Sequence, residues 1–229
     1  MSFFQTLQDA TQEQRETLFN LPIIRQAMAG QVSLESYRAF LTQAYYHVRH
    51  TVPLMMACGA RLPSRMEWLR AAVCEYIEDE YGHEKWVLND LRACGGQAEA
   101  VENGQPGAPI ELMVAYLYDL IARGNPVGLF GMVNVLEGTS IALATHAADS
   151  MRAGLGLGPE AFSYLSSHGS LDIGHMETFR KLMDKVDDPD DQQAVIHASR
   201  LVYRLYTDMF RELPGAALTA HKESSHAAA

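Results

Sequence analysis

From Ala161 to Val186 the chain keeps one line of residues at alternating steps of four and three: Ala161, Leu165, His168, Asp172, His175, Phe179, Leu182 and Val186. Steps of that size stack side chains on one stripe of an α-helix, which closes a turn about every 3.6 residues. Such a stripe is the face a helix buries against its neighbours, and it is normally apolar throughout. Here both ends are apolar and the middle is polar. The stripe therefore demands helical neighbours to bury it and something inside to compensate two imidazoles and a carboxylate. An unpaired polar group taken from water costs about 1–3 kcal/mol, and an unpaired charge more. A divalent metal compensates such groups well, because imidazole and carboxylate are ligands that suit iron, zinc and manganese. Taken alone, this helix leaves a hydrogen-bonded polar network as the other reading.

Helical periodicity and helix punctuation run through the rest of the chain. An amphipathic stretch from Ser2 to Ala29 stops near Gly30, and Ser33 can cap a long second helix in which Pro53 predicts a kink. A third helix is expected from Pro63 and Ser64 to Gly95-Gly96, followed by a loop from Gln97 to Ala108. Further helices are predicted over Ile110 to Ala122, Pro126 to Arg152 and Pro159 to Lys185. Asp188, with Pro189, Asp190 and Asp191 behind it, is a start signal for the last. No strand alternation competes and no fixed repeat is visible, so the expected fold is an all-α bundle of about seven helices. A chain of 229 residues can bury one sizeable core. One domain over 1–215 is expected, with a mobile small-residue tail over 216–229.

A net charge of −10 without a basic patch argues against nucleic acid as a partner. Cys58, Cys74 and Cys94 are odd in number and widely spaced, the pattern of reduced thiols. No signal peptide and no uninterrupted apolar run of about 18 residues is visible, so a cytoplasmic protein without a membrane partner is the expectation.

Two more helices carry polar residues on an apolar seam. In the third, the line Leu69, Val73, Tyr76, Glu80, His83, Val87 and Leu91 places Glu80 and His83 in adjacent inward layers. A Glu and a His three apart can bind one metal together, as in dimetal carboxylate bundles. Asp79 is the second choice as ligand, and Gly82 within this helix points to close packing beside the site. Glu137 shares a seam with Phe130, Val133, Ile141 and Ala144, and Asn134, one turn earlier, is a candidate hydrogen-bond partner for it. A structural salt bridge is the alternative role for Glu137. The sum is Glu80, His83, Glu137, His168, Asp172 and His175, more ligands than a closed tetrahedral zinc site needs. Two Fe(II) ions, with positions open to O2 or substrate, would nearly neutralise the three carboxylates. Glu80 and Glu137 are the residues expected to take part in catalysis. Tyr45, Tyr46, His47 and His50 are candidates to line a pocket beside the metal helices.

The Glu80-x2-His83 pair, the lone Glu137 and the run His168-x3-Asp172-x2-His175 resemble the haem-oxygenase-like diiron oxidases and oxygenases, relatives of the TenA/PqqC helical fold. The resemblance extends from the YYHVRH region to the last helix, and its closest pattern is that of UndA-like enzymes, which act on medium-chain fatty acids. It implies that these six residues ligate two Fe(II), one held weakly and manganese being possible in its place. It further implies O2 and a small acid or amine as substrates, and a homodimer. TenA-type thiaminases carry a nucleophilic cysteine in the helix where this chain has Glu137, and haem oxygenase takes a proximal histidine from the first helix, where Ser2 to Ala29 has none. A metal-free TenA/PqqC-like enzyme, or a pyrimidine- or thiamin-related binding protein, is the alternative function.

Overall fold

The computed structural model describes residues 1–216, apart from the side chains of residues 170–173. Every regular element among the described residues is helical, and the all-α expectation holds. Helices α1 (Phe3–Ala10), α2 (Gln12–Phe19) and α3 (Pro22–Met28) replace the single opening helix expected. Thr11 leaves helical geometry between the first two, and Pro22 starts the third, where its missing N–H costs nothing.

The second predicted helix is also two: α4 (Leu34–Val48) and α5 (Thr51–Arg61). Ser33 caps α4 by accepting from the Ser36 N–H at 3.0 Å. Pro53 falls in the first turn of α5, so the chain breaks at Arg49 and His50 instead of kinking at the proline. A short 3₁₀ turn, Ser64–Met66, leads into α6 (Glu67–Glu80), and α7 (Glu84–Ala93) follows. The continuous helix expected to reach Gly95 is interrupted because Tyr81 is extended and Gly82 takes φ +94°, a conformation that favours glycine. A Cβ on Gly82 would meet little, so its dihedral explains the glycine and close packing does not.

Within the loop expected over Gln97 to Ala108 lies α8 (Ala98–Glu102), and α9 (Ala108–Arg123) agrees with the sequence. A 3₁₀ turn over Pro126–Leu129 opens α10 (Phe130–Leu155), another over Pro159–Ala161 precedes α11 (Ser163–Met183), and α12 (Pro189–Arg211) closes the bundle. The tail expected beyond Gly215 falls, from residue 217 on, outside the described residues.

Helix α10 is the centre, packed along both α11 and α12. Pro126–Leu155 is long and apolar enough to cross a bilayer by composition, yet 67% of its most apolar window is buried by other helices. Its apolarity is that of a core helix. Around it α4 packs on α7, α5 on α6, and α9 on α12. Two buried carboxylates clip remote elements to this frame. Asp90, on α7, accepts from the backbone N–H groups of Ser163 (3.0 Å) and Tyr164 (2.9 Å), capping the α11 start from across the bundle.

Asp191, 1% exposed, accepts from both Arg65 nitrogens (2.6 and 3.1 Å) and from Asn125 (2.7 Å). Burial pushes the Asp191 carboxyl up, but the hydrogen bonds from Arg65 and Asn125 outweigh it and hold the group below its ordinary range. A depressed folded-state pKa stabilises the fold at pH values above the unfolded value near 3.8, and that stability is lost as pH falls through the folded value. Asp191→Asn is expected to cost about 1–3 kcal/mol at neutral pH. Urea unfolding at pH 7 and pH 3 should show the gap between wild type and variant closing at the lower pH; a constant gap would assign the loss to packing.

Candidate metal centre

The break between α6 and α7 sets the site. Glu80 is the last residue of α6 and His83 caps α7, both buried, with His83 Nδ1 at 3.1 Å from Glu80 Oε2. Trp86, one turn further along, stacks on the His83 ring with centroids 3.9 Å apart and fixes its plane. Helix α11 brings His168 edge-on to His83 at 4.9 Å. Two turns later it brings His175, whose Nδ1 is 3.7 Å from Glu137 Oε1 on α10.

Two groups of donors result among the described residues. Glu80, His83 and His168 place one ligand atom each within 4.8 Å of one another, and Glu80, Glu137 and His175 do the same. Glu80 belongs to both. The first set, two imidazoles and a carboxylate, is the donor set of non-haem Fe(II) oxygenases; the second is richer in carboxylate. Buried and half-buried donors converging from four helices fit divalent metal.

Five of the six expected ligands are therefore brought together, and the side chain of Asp172 lies outside the described residues. Asp79 stands 3.3 Å from His175 Nε2, on the other side of the ring from Glu137, with its own side chain mostly in solvent. That is the position of a carboxylate that orients a ligating histidine, rather than of a ligand. Asn134 does not bond to Glu137. It accepts from Gln8 at 2.8 Å and donates to Ser199 at 3.4 Å, because it lies on the side of α10 that meets α1 and α12.

A cavity of about 140 Å³ opens onto Glu80, Glu137 and His168. Helix α10 lines it from Met132 through Leu136, Leu143 and Ala147 to Met151, a stripe about 28 Å long at 1.5 Å per residue. Of the four pocket candidates on the second predicted helix, only His47 reaches this space. Successive helical residues point about 100° apart, so one face of α4 meets the cavity and the others do not. Tyr45 lies beneath the Arg49 guanidinium (5.4 Å), Tyr46 sets its hydroxyl beside Gly104, and His50 Nδ1 is 3.1 Å from the Tyr118 oxygen on α9.

Both His47 ring nitrogens are buried without a hydrogen-bond partner, and its ring meets Tyr206 edge-on at 5.8 Å. Burial, with smaller contributions from His168 and His50, pushes the His47 pKa down to about 3, so the imidazole is neutral near pH 7. Sequence reasoning passed over Tyr76, 5.6 Å from His175, and Trp86. Tyr76 reads as plain core on the Glu80 seam; for Trp86 the usable signal was its spacing of one turn from His83.

Fold and donor set together define an all-helical protein with inward imidazoles and carboxylates able to hold a metal ion. The family model described as iron-containing redox enzyme matches residues 38–207, and the chain belongs to that family. No curated protein sequence matches significantly. Among solved structures, a domain of unknown function with a heme oxygenase-like fold from Shewanella denitrificans superposes with TM-score 0.81 at 21% identity, over 100% of this chain and 97% of that one. A TenA homologue from Pseudomonas syringae pv. tomato gives 0.76 at 11% identity, over 91% of each chain. Heme oxygenase-1 from the cyanobacterium Synechocystis, solved with heme, gives 0.74 at 13% identity, over 99% of each. At these identities the likeness establishes the fold.

Proposed function

We propose that this chain is a non-haem diiron oxidase that uses O2 to oxidise a small organic molecule of fatty-acid or amino-acid type. The observation that carries the reading is the pair of donor groups joined by Glu80 at the mouth of an apolar cavity. Glu80, His83 and His168 would hold one Fe(II), Glu80, Glu137 and His175 the other, with Asp172 as the sixth expected ligand. Bound Fe(II) would pass the first electrons to O2, and the substrate, as it is oxidised, would supply the rest. The protein's own share is orientation and dryness. Trp86 and Asp79 hold the planes of His83 and His175, Glu137 places a carboxylate at the cavity wall, and the α10 stripe excludes water from a bound chain. Heme is a poor fit, since α1 to α3 contain no histidine and the cavity end is occupied by two carboxylates.

The test is anaerobic Fe(II) loading followed by metal analysis and exposure to O2. About two irons per chain, with a visible absorption change on oxygenation, is the expected result. Uptake of manganese in one position would keep the site and change the metal. The likeness to a TenA homologue favours a second, metal-free reading, and protein that ignores iron but binds a pyrimidine would establish that one instead. A cytoplasmic homodimer is proposed with the main reading.

A further inference from the structure

The wall of the cavity carries polar groups that the metal centre does not use. His47, on α4, is 6% exposed with neither ring nitrogen hydrogen-bonded. Facing the same space from α10, Thr139 Oγ1 and Ser140 Oγ are also buried without partners. Ser140 is one helical turn past Glu137, so this band borders the metal centre, and the apolar stripe of Leu143, Ala147 and Met151 continues beyond it. Three unmet polar groups in an apolar wall are costly to leave without a partner.

We infer that the cavity binds an amphipathic molecule whose uncharged polar group, a hydroxyl, carbonyl or amide, hydrogen-bonds to His47, Thr139 and Ser140 while its hydrocarbon chain lies along α10. The charge pattern selects against an ionised head at this band. Among the described residues no lysine or arginine lines the cavity to pair with an ionised head, and in metal-free protein Glu80 and Glu137 repel a carboxylate. A neutral imidazole offers one donor and one acceptor, and each hydroxyl offers both, which matches an alcohol or amide. The low His47 pKa agrees, since the ring stays neutral at working pH. From Ser140 to Met151 the stripe runs about 16 Å, room for a medium alkyl chain. This neutral ligand is distinct from the acid or amine proposed above as substrate, and its binding does not rest on the metal-centre reading.

The experiment therefore uses metal-free protein at pH 8, titrated by calorimetry with 1-decanol, decanamide and decanoate. The alcohol and the amide should bind at least about tenfold more tightly than decanoate, and His47→Phe should weaken alcohol binding about tenfold. A ¹⁵N resonance of the His47 ring, assigned by its loss in His47→Phe, should shift on adding decanol. If His47→Phe fails to fold, Thr139→Val gives the same comparison at a neighbouring group. Decanoate binding as tightly as decanol, or decanol affinity indifferent to both substitutions, overturns the proposal. Iron uptake is measured separately on wild type and His47→Phe. Its absence in both would fail the oxidase reading while leaving the binding result standing.

Discussion

Glu80→Ala is expected to empty both metal positions at once, whereas His83→Ala and His175→Ala each weaken one. The asymmetry follows from geometry: among the described residues Glu80 is the one common to the two donor groups, and the two histidines belong to different groups. After anaerobic loading, wild type should carry about two irons per chain, Glu80→Ala close to none, and each histidine variant about one. O2 consumption with a competent substrate should fall to background in Glu80→Ala. Because Glu80 is buried, removing its carboxylate also leaves His83 without its 3.1 Å partner, so helicity and unfolding midpoint must be checked alongside. Glu80→Gln, which keeps shape and loses charge, controls for packing. Retention of two irons by a folded Glu80→Ala would sink the shared-ligand assignment.

A large stability effect is expected at Gly131. In the second turn of the run that begins at Pro126, it lies where α10 crosses α12 backbone to backbone. A Cβ there would stand 2.6 Å from the Ser199 nitrogen, 2.7 Å from the Val195 oxygen and 2.8 Å from the Ala198 Cβ. Two of these neighbours are main chain and cannot swing aside, so the helices must part. Gly131→Ala is expected to cost about 1–3 kcal/mol and Gly131→Val more, against the small gain in helix propensity that alanine brings at an open position. For a chain of this size that is a fall in Tm of roughly 2–4 °C per kcal/mol. Glu137 lies on the same helix less than two turns on, so iron affinity should fall with stability. An unchanged urea midpoint in Gly131→Ala would mean that α10 and α12 have slack the structure does not show.

Part of this architecture was readable from residue order alone. The start of α12 is one case: Asp188 accepts from the Asp190 N–H and Pro189 occupies the first turn, as their order predicts. Helix ends of this kind depend on neighbours within one turn, and so they are written locally. Breaks were harder. Gly82 reads as a costly helix residue, yet its left-handed φ ends α6, and the choice between a tolerated glycine and a turn depends on what surrounds the helices. The same limit applied at Pro53, which lies inside the first turn of a new helix rather than at a kink.

The site divides along the same line. By itself the sequence determined that Glu80, Glu137, His168 and His175 face inward, because a residue's place on a helix stripe follows from the helical period and the apolar residues around it; His83, expected on the same helix as Glu80, reaches the site across the break at Gly82. It determined equally the ligand chemistry, imidazole and carboxylate without a cysteine. Only the tertiary structure decided that Glu80 joins two donor groups, that Asp79 backs His175, that Asn134 turns to Gln8 and Ser199, and that of Tyr45, Tyr46, His47 and His50 only His47 opens onto the cavity. The reason is physical. Periodicity sets the direction of a side chain about its own axis, whereas the distance between side chains on different helices is set by how those helices cross and how close their backbones come. That crossing is decided by contacts such as Gly131 on Ser199, between residues far apart in the chain.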